Sequence, residues 1–157
     1  MTLSPTSEVT QLVQKFLIDV PLVERLGLAP GDLNGAAEQA RADLQAGQSA
    51  SALSKFARLV MIDPRHAPYF LGLAEAALAE GQPEIALQGA SVVMLEQPDD
   101  PAGYLLSAQA CLALDEFDAA REDLADAERC ALAKSDMAAQ ILARRLRAVL
   151  DHRTGAR

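Results

Sequence analysis

Apolar residues return every three or four positions along almost the whole chain, and the helices this pattern predicts are short and numerous. Val9, Leu12, Val13, Phe16, Leu17 and Val20 form one stripe over Val9–Leu28, with Pro21 placed to kink it. Ala29-Pro30-Gly31-Asp32 reads as a turn, with Asp32 in position to cap the helix that follows. From Leu33 onward periodic segments alternate with corner residues. They run over about 33–46, closed by Gly47; 49–62, closed by Asp63-Pro64; 67–80, closed by Gly81; and 83–96, with Pro83 in the first turn. Next come 101–114 behind a capping Asp100, 117–130, and a last helix over about 134–152.

The corners are themselves periodic. Gly47 and Gly81 are 34 residues apart, as are Ala52, Ala86 and Ala120, and Pro64 and Pro98. That is the length of the tetratricopeptide repeat, a helix-turn-helix unit with the pattern W-x-x-L-G-x-x-Y, then A-x-x-x-F, then P. The second unit reads Phe70-x-x-Leu73-Ala74-x-x-Ala77, Ala86-x-x-x-Ala90, Pro98. The first keeps Ala52-x-x-x-Phe56 and Pro64; the third has Tyr104-x-x-Ser107-Ala108-x-x-Cys111 and Ala120-x-x-x-Leu124, with Asp115 and Leu132 where Gly and Pro would stand. Small residues such as Ala74, Ala86, Ala108 and Ala120 suit close helix crossings, and Phe56, Phe70 and Tyr104 suit the gaps between layers. The predicted architecture is all-α: three tetratricopeptide repeats (33–133) in a right-handed helical stack. An N-terminal tail and amphipathic helix (1–32) precede them, and a C-terminal capping helix and tail (134–157) follow.

Composition narrows the function. Half of the 157 residues are hydrophobic and only 4% are aromatic, which excludes global disorder and suits closely packed alanine-rich helices. The net charge of -8 disfavours nucleic acid and anionic membrane surfaces as partners. The charge is uneven: residues 134–157 carry +4 and the rest -12. The two cysteines, Cys111 and Cys130, form no C-x-x-C pair and sit in apolar helical segments, where they read as small buried hydrophobes. The start, Met-Thr-Leu-Ser-Pro, carries no basic stretch of a secretory signal, and no uncharged run is long enough to span a bilayer. A cytoplasmic location without stable membrane insertion is the expectation.

In such stacks the first helix of each repeat lines the concave face. Placed by Pro64 and Pro98, the inner stripe comprises Asn34, Ala37, Arg41, Leu44 and Gln45; Pro68, Leu71, Glu75, Leu78 and Ala79; and Ala102, Leu105, Gln109, Leu112 and Ala113. Ten of these fifteen are apolar and only Arg41 is cationic. Capture of a peptide's terminal carboxylate needs several cations or amides, so this composition points to an extended hydrophobic segment instead. The candidate groove residues are Ala37, Arg41, Leu44, Leu71, Glu75, Leu78, Leu105, Gln109 and Leu112. The spacing leaves open whether Leu44, Leu78 and Leu112 face a ligand or the core.

Tyr69-Phe70-Leu71-Gly72-Leu73-Ala74, then Gly81-Gln82 before Ala86, and Ala110-Cys111-Leu112-Ala113 before Ala119-Ala120, resemble the class II chaperones of bacterial type III secretion. The resemblance is close from Gly47 through Leu124 and extends in layout to nearly the whole chain. It implies a bacterial cytoplasmic chaperone that holds a short extended segment of a hydrophobic translocator in its groove, keeping the client soluble and unassembled until export. It also implies self-association through the N-terminal region, for which Leu12, Phe16 and Leu17 are the candidates. The chain departs from the family in having Ala37 and Leu44 where a tyrosine is expected, which alters the size of the pockets.

Catalytic and cofactor chemistry find no support. His66 lies at a turn and His152 at a helix end, neither with a partner pattern for catalysis or metal binding. Asp115-Glu116-Phe117-Asp118 lacks the central Gly and the ligand spacing of a calcium loop and reads as a cap and turn. No phosphate-binding glycine loop or nucleophile elbow is present, so neither an enzyme nor a cofactor is expected. The alternative to a chaperone is an adaptor scaffold joining folded proteins, which would use the basic face around Arg144, Arg145 and Arg147.

Overall fold

The computed structural model describes residues 25–29 and 32–155. The predicted helix over Val9–Leu28 falls almost wholly outside these residues, as do Leu12, Phe16 and Leu17. Among the described residues seven helices follow one another: α1 (Asn34–Gln45), α2 (Ser49–Ile62), α3 (Ala67–Ala79), α4 (Pro83–Glu96), α5 (Pro101–Ala113), α6 (Phe117–Ala133) and α7 (Met137–Thr154). There is no strand among the described residues. Each helix packs on the next, and α1, α3, α5 and α7 also touch in series, so the first helices of successive repeats make one continuous face. This is the all-α repeat stack expected from the 34-residue spacing.

The corners explain why the helices stop where they do. At Gly47, Gly81, Asp115 and Ser135 the backbone enters the left-handed region, with φ of 75°, 68°, 62° and 55°. Each time the amide of that residue and the next turn back onto the helix. Gly47 N–H donates to Leu44 O and Gln48 N–H to Asp43 O; Ser135 N–H donates to Leu132 O and Asp136 N–H to Ala131 O. These are Schellman caps, which satisfy carbonyls that a helix end otherwise leaves unpaired. Glycine adopts this conformation freely, whereas Asp115 and Ser135 do so at a steric cost.

Three details differ from the sequence reading. Asp32 does not cap α1: its carboxylate accepts from Ala29 N–H behind it at 2.6 Å, and Leu33 occupies the cap position without a side-chain bond. Helix α6 runs to Ala133 rather than Cys130, and is 17 residues long where α2 and α4 are 14. Helix α7 accordingly starts at Met137 rather than near Lys134, capped by Asp136, whose Oδ1 accepts from Ala139 N–H at 3.0 Å. Asp100 caps α5 as expected, accepting from Ala102 N–H at 2.9 Å.

The core is layered. Ala52, Ala86 and Ala120 are fully buried, as are Ala40, Ala74 and Ala108. Each layer joins the two helices of one repeat to the first helix of the next. At the joint between repeats 1 and 2 the Phe56 ring lies directly on Gly72, where an added Cβ would sit 2.3 Å from ring carbons. At the next joint the sizes are exchanged, with Ala90 and Leu106 in one cluster; at the last, Leu124 and Ala143 share a cluster. Each layer thus places a large residue with a small one, and the summed volume of the pair stays nearly constant, as close packing favours. Cys111 and Cys130 are both buried and free. Burial, reinforced by the nearby Asp123 carboxylate, pushes the Cys111 thiol up to about 11, so it is an inert packing residue.

Two outcomes follow from this packing. Gly72→Ala should cost about 2 kcal/mol in chemical denaturation through overpacking. Adding Phe56→Leu, which copies the Leu124–Ala143 pairing, should recover most of it; two additive losses would show that the joint is not size-matched. Ser135→Gly should stabilise by about 1 kcal/mol by removing the left-handed penalty, read as a rise of roughly 3 °C in the thermal midpoint.

Candidate functional site

The first helices α3 and α5, with the closing helix α7, enclose a groove of about 530 Å³. Its walls are Leu71, Leu78 and Ala79 from α3, Ala102, Leu105 and Leu106 from α5, and Leu142 from α7; Glu75 and Gln109 are its polar side chains. The 3.6-residue turn puts Leu71, Glu75 and Leu78 on one face of α3, and the 34-residue step repeats that face as Leu105, Gln109 and Leu112 on α5. Helix α3 opens with Pro68 and α5 with Pro101, both in the first turn, where a missing amide costs nothing.

Of the nine groove residues named from the sequence, Leu71, Glu75, Leu78, Leu105 and Gln109 come together here. The other four do not. Ala37 is 2% exposed and belongs to the core of repeat 1, against which Leu44 also packs, half-buried. Leu112 is 5% exposed and sits in the core beneath repeat 3. Arg41 is exposed on α1, outside the groove lining. The leucines 34 apart therefore divide: Leu78 faces the groove, Leu112 the core, and Leu44 lies half-buried on repeat 1.

Leu142 was not reached by sequence reasoning. It stands 37 residues after Leu105, because α6 is three residues longer than its counterparts, and a strict 34-residue step misses it. The signal was the apolar continuation Ala131-Leu132-Ala133 beyond Cys130, which prolongs α6. At 37% exposure Leu142 presents an apolar side chain at the groove's edge.

The polar groups of the groove face an apolar setting. Gln109 Nε2 donates to Leu105 O at 3.1 Å, one turn back on its own helix. Desolvation by the surrounding side chains raises the Glu75 carboxyl above its ordinary 4.5, while the charge of Arg41 opposes that rise. At the end of the stack Arg147 and Arg153 fasten α7, and Lys134 ties the end of α6 to the start of α5. Arg147 makes a two-pronged pair with Glu128 at 2.8 and 3.0 Å, and Lys134 holds Asp100 at 2.9 Å. Arg153 bonds Leu112 O and Asp115, and lies 5.1 Å from the centre of the Phe117 ring. Of the basic face proposed for an adaptor, Arg147 is committed to Glu128, whereas Arg144 and Arg145 are exposed.

His66 stacks on Tyr69 with ring centres 4.1 Å apart. Among the described residues no group of His, Cys, Asp and Glu side chains is arranged to hold a metal ion. No helix there is long and apolar enough to cross a membrane.

Fold and groove together define a tetratricopeptide-repeat protein with an apolar concave site. Residues 43–110 match the family model described as tetratricopeptide repeat. No curated protein matches the chain by sequence. Among solved structures, PcrH in complex with the chaperone binding region of PopD is 31% identical, with a TM-score of 0.72 over 82% of this chain and 96% of PcrH. PcrH from Pseudomonas aeruginosa gives the same identity, with a TM-score of 0.70 over 81% of this chain and 95% of that one. A type III secretion complex from Aeromonas hydrophila shares the fold at 23% identity, with a TM-score of 0.84 over 94% of this chain and 99% of that chain. The chain belongs to the family of PcrH, the class II translocator chaperones of type III secretion.

The raised Glu75 carboxyl predicts a pH dependence. The folded state holds this proton more tightly than the unfolded chain, so Glu75 destabilises the fold increasingly as pH rises above about 4.5. The thermal midpoint of Glu75→Gln minus that of wild type should grow between about pH 4 and pH 7. A constant difference would mean that the carboxyl is not desolvated.

Proposed function

We propose that this protein is a non-enzymatic cytoplasmic chaperone that holds an extended hydrophobic segment of type III translocator proteins along α3, α5 and α7. Held there, the client stays soluble and unassembled before secretion. The observation that supports this most is the groove wall itself: Leu71, Leu78, Leu105, Leu106 and Leu142 line it, whereas no cation among the described residues does. An open groove of leucines gains from desolvating another apolar surface, and about 1.5–3 kcal/mol accompanies each side chain fully buried. The relatives bear on the same reading. PcrH has been solved with the chaperone binding regions of PopD and of PopB. SycD from Yersinia enterocolitica, 22% identical, has been solved with a peptide of the translocator YopD.

Self-association belongs to the proposal. An alternative dimer of SycD has been solved, and the apolar stripe with Leu12, Phe16 and Leu17 is the surface for it here.

The test is co-expression with a hydrophobic type III translocator from the same bacterium. Wild type should keep the client soluble and co-purify with it, and the mass of the chaperone alone should exceed that of a monomer. Leu78→Asp and Leu142→Asp should each weaken client capture by about tenfold or more while the thermal midpoint changes little, because both side chains are partly solvent-exposed. Leu105→Asp is the contrasting control, since at 5% exposure it should lose stability as well. A client that stays insoluble with wild type, or capture unchanged by both variants, would overturn the proposal.

A further inference from the structure

The ninth position of the three repeats is polar in each: Arg41, Glu75 and Gln109, spaced by 34. In an otherwise apolar stripe this is a polar row down the middle, and its last two members lie inside the groove. Their chemistry is unequal. One N–H of the Gln109 amide is engaged with Leu105 O, which leaves its second N–H and its carbonyl oxygen to a ligand. Glu75, when ionised, is an acceptor only. Glu75 is thus the one charged side chain among the described lining residues, and none of them is a cation that could pair with it. Arg41, on the neighbouring first helix, influences Glu75 through its charge without forming an ion pair with it.

A bound apolar segment would take more water away from Glu75. Leaving a charged acceptor desolvated and unpaired is costly, whereas a cationic donor placed against it forms the stronger, charge-assisted kind of hydrogen bond. A carboxylate brought to the same point meets the like charge of Glu75. Such a row sorts ligands by repulsion as much as by attraction.

We propose that Glu75 is the selectivity element of the groove, favouring a segment with a Lys or Arg between its aliphatic anchors and rejecting one with Asp or Glu there. The inference rests on the groove's being the client site. The aliphatic anchors would occupy the Leu71–Leu78 and Leu105–Leu142 walls on either side of the polar row.

The experiment presents a displayed library of random peptides, about twelve residues long and able to span the three first helices, to the purified full chain. The same library is selected on Glu75→Gln, Glu75→Lys and Leu78→Asp, each checked for unchanged helicity. Peptides enriched by wild type should carry Lys or Arg over Asp or Glu by about tenfold at one position fixed relative to their aliphatic residues. Glu75→Gln should flatten that preference and Glu75→Lys should reverse it, with the aliphatic pattern retained. For one selected peptide, Lys→Glu in the peptide should weaken binding to wild type and strengthen binding to Glu75→Lys. Enrichment that depends on Leu78 but carries no charge preference, or a preference that survives in Glu75→Gln, would overturn the inference and leave the groove reading intact. No enrichment by wild type over Leu78→Asp would overturn both.

Discussion

The fold depends on how closely consecutive repeats can approach, and that distance is set by a matched pair of side chains at each joint. Phe56 rests on the bare Cα of Gly72; Ala90 and Leu106 share the next layer with the sizes exchanged; Leu124 and Ala143 share the last. Protein interiors tolerate neither a gap nor an extra methyl well, so near-constant total volume at the joints keeps the first helices evenly spaced. The groove inherits this spacing. Its walls are α3, α5 and α7, and its width is the distance that the joints beneath them allow.

The corners supply the second constraint. Four left-handed Schellman caps turn the chain at Gly47, Gly81, Asp115 and Ser135, and the first three follow the 34-residue step. The fourth does not belong to the series: it ends the longer helix α6 and leads into α7. Asp115 offsets part of its backbone cost by pairing with Arg153, whose guanidinium also caps Leu112 O. One corner of repeat 3 and the C-terminal turn of α7 therefore stabilise each other. Charge in this region fastens the closing helix, and the closing helix in turn contributes Leu142 to the groove.

Apolar walls and polar groups have different physical roles in that groove. The leucines supply a non-directional gain from leaving water, which is indifferent to the sequence of what is bound. Glu75 and Gln109 are directional, and a bound segment that takes water from them makes an unmatched partner expensive. A site built this way can hold hydrophobic segments generally and still distinguish among them. The inert thiol of Cys111 and the stacked His66–Tyr69 pair lie elsewhere in the packing and add no chemistry to this surface.

The local and periodic features were legible in the sequence. Helix boundaries from α2 to α5 follow from Pro64, Gly81, Pro83, Pro98 and Asp100, because backbone sterics and capping act within a few residues. The alanines at the crossings and the apolar character of the concave face follow from the same step, as do five of the nine groove residues. What the sequence could not decide was the direction in which a leucine faces when both directions are apolar. Leu78 and Leu112 occupy the same repeat position, yet α7 lies over the second and only groove over the first, so one is a wall and the other is core. Nor could it place Leu142, because three extra residues in α6 move α7 out of step with the repeats. Periodicity says which residues share a helix face. The neighbour that covers that face is a matter of tertiary packing, and packing decided where the core ends and the groove begins.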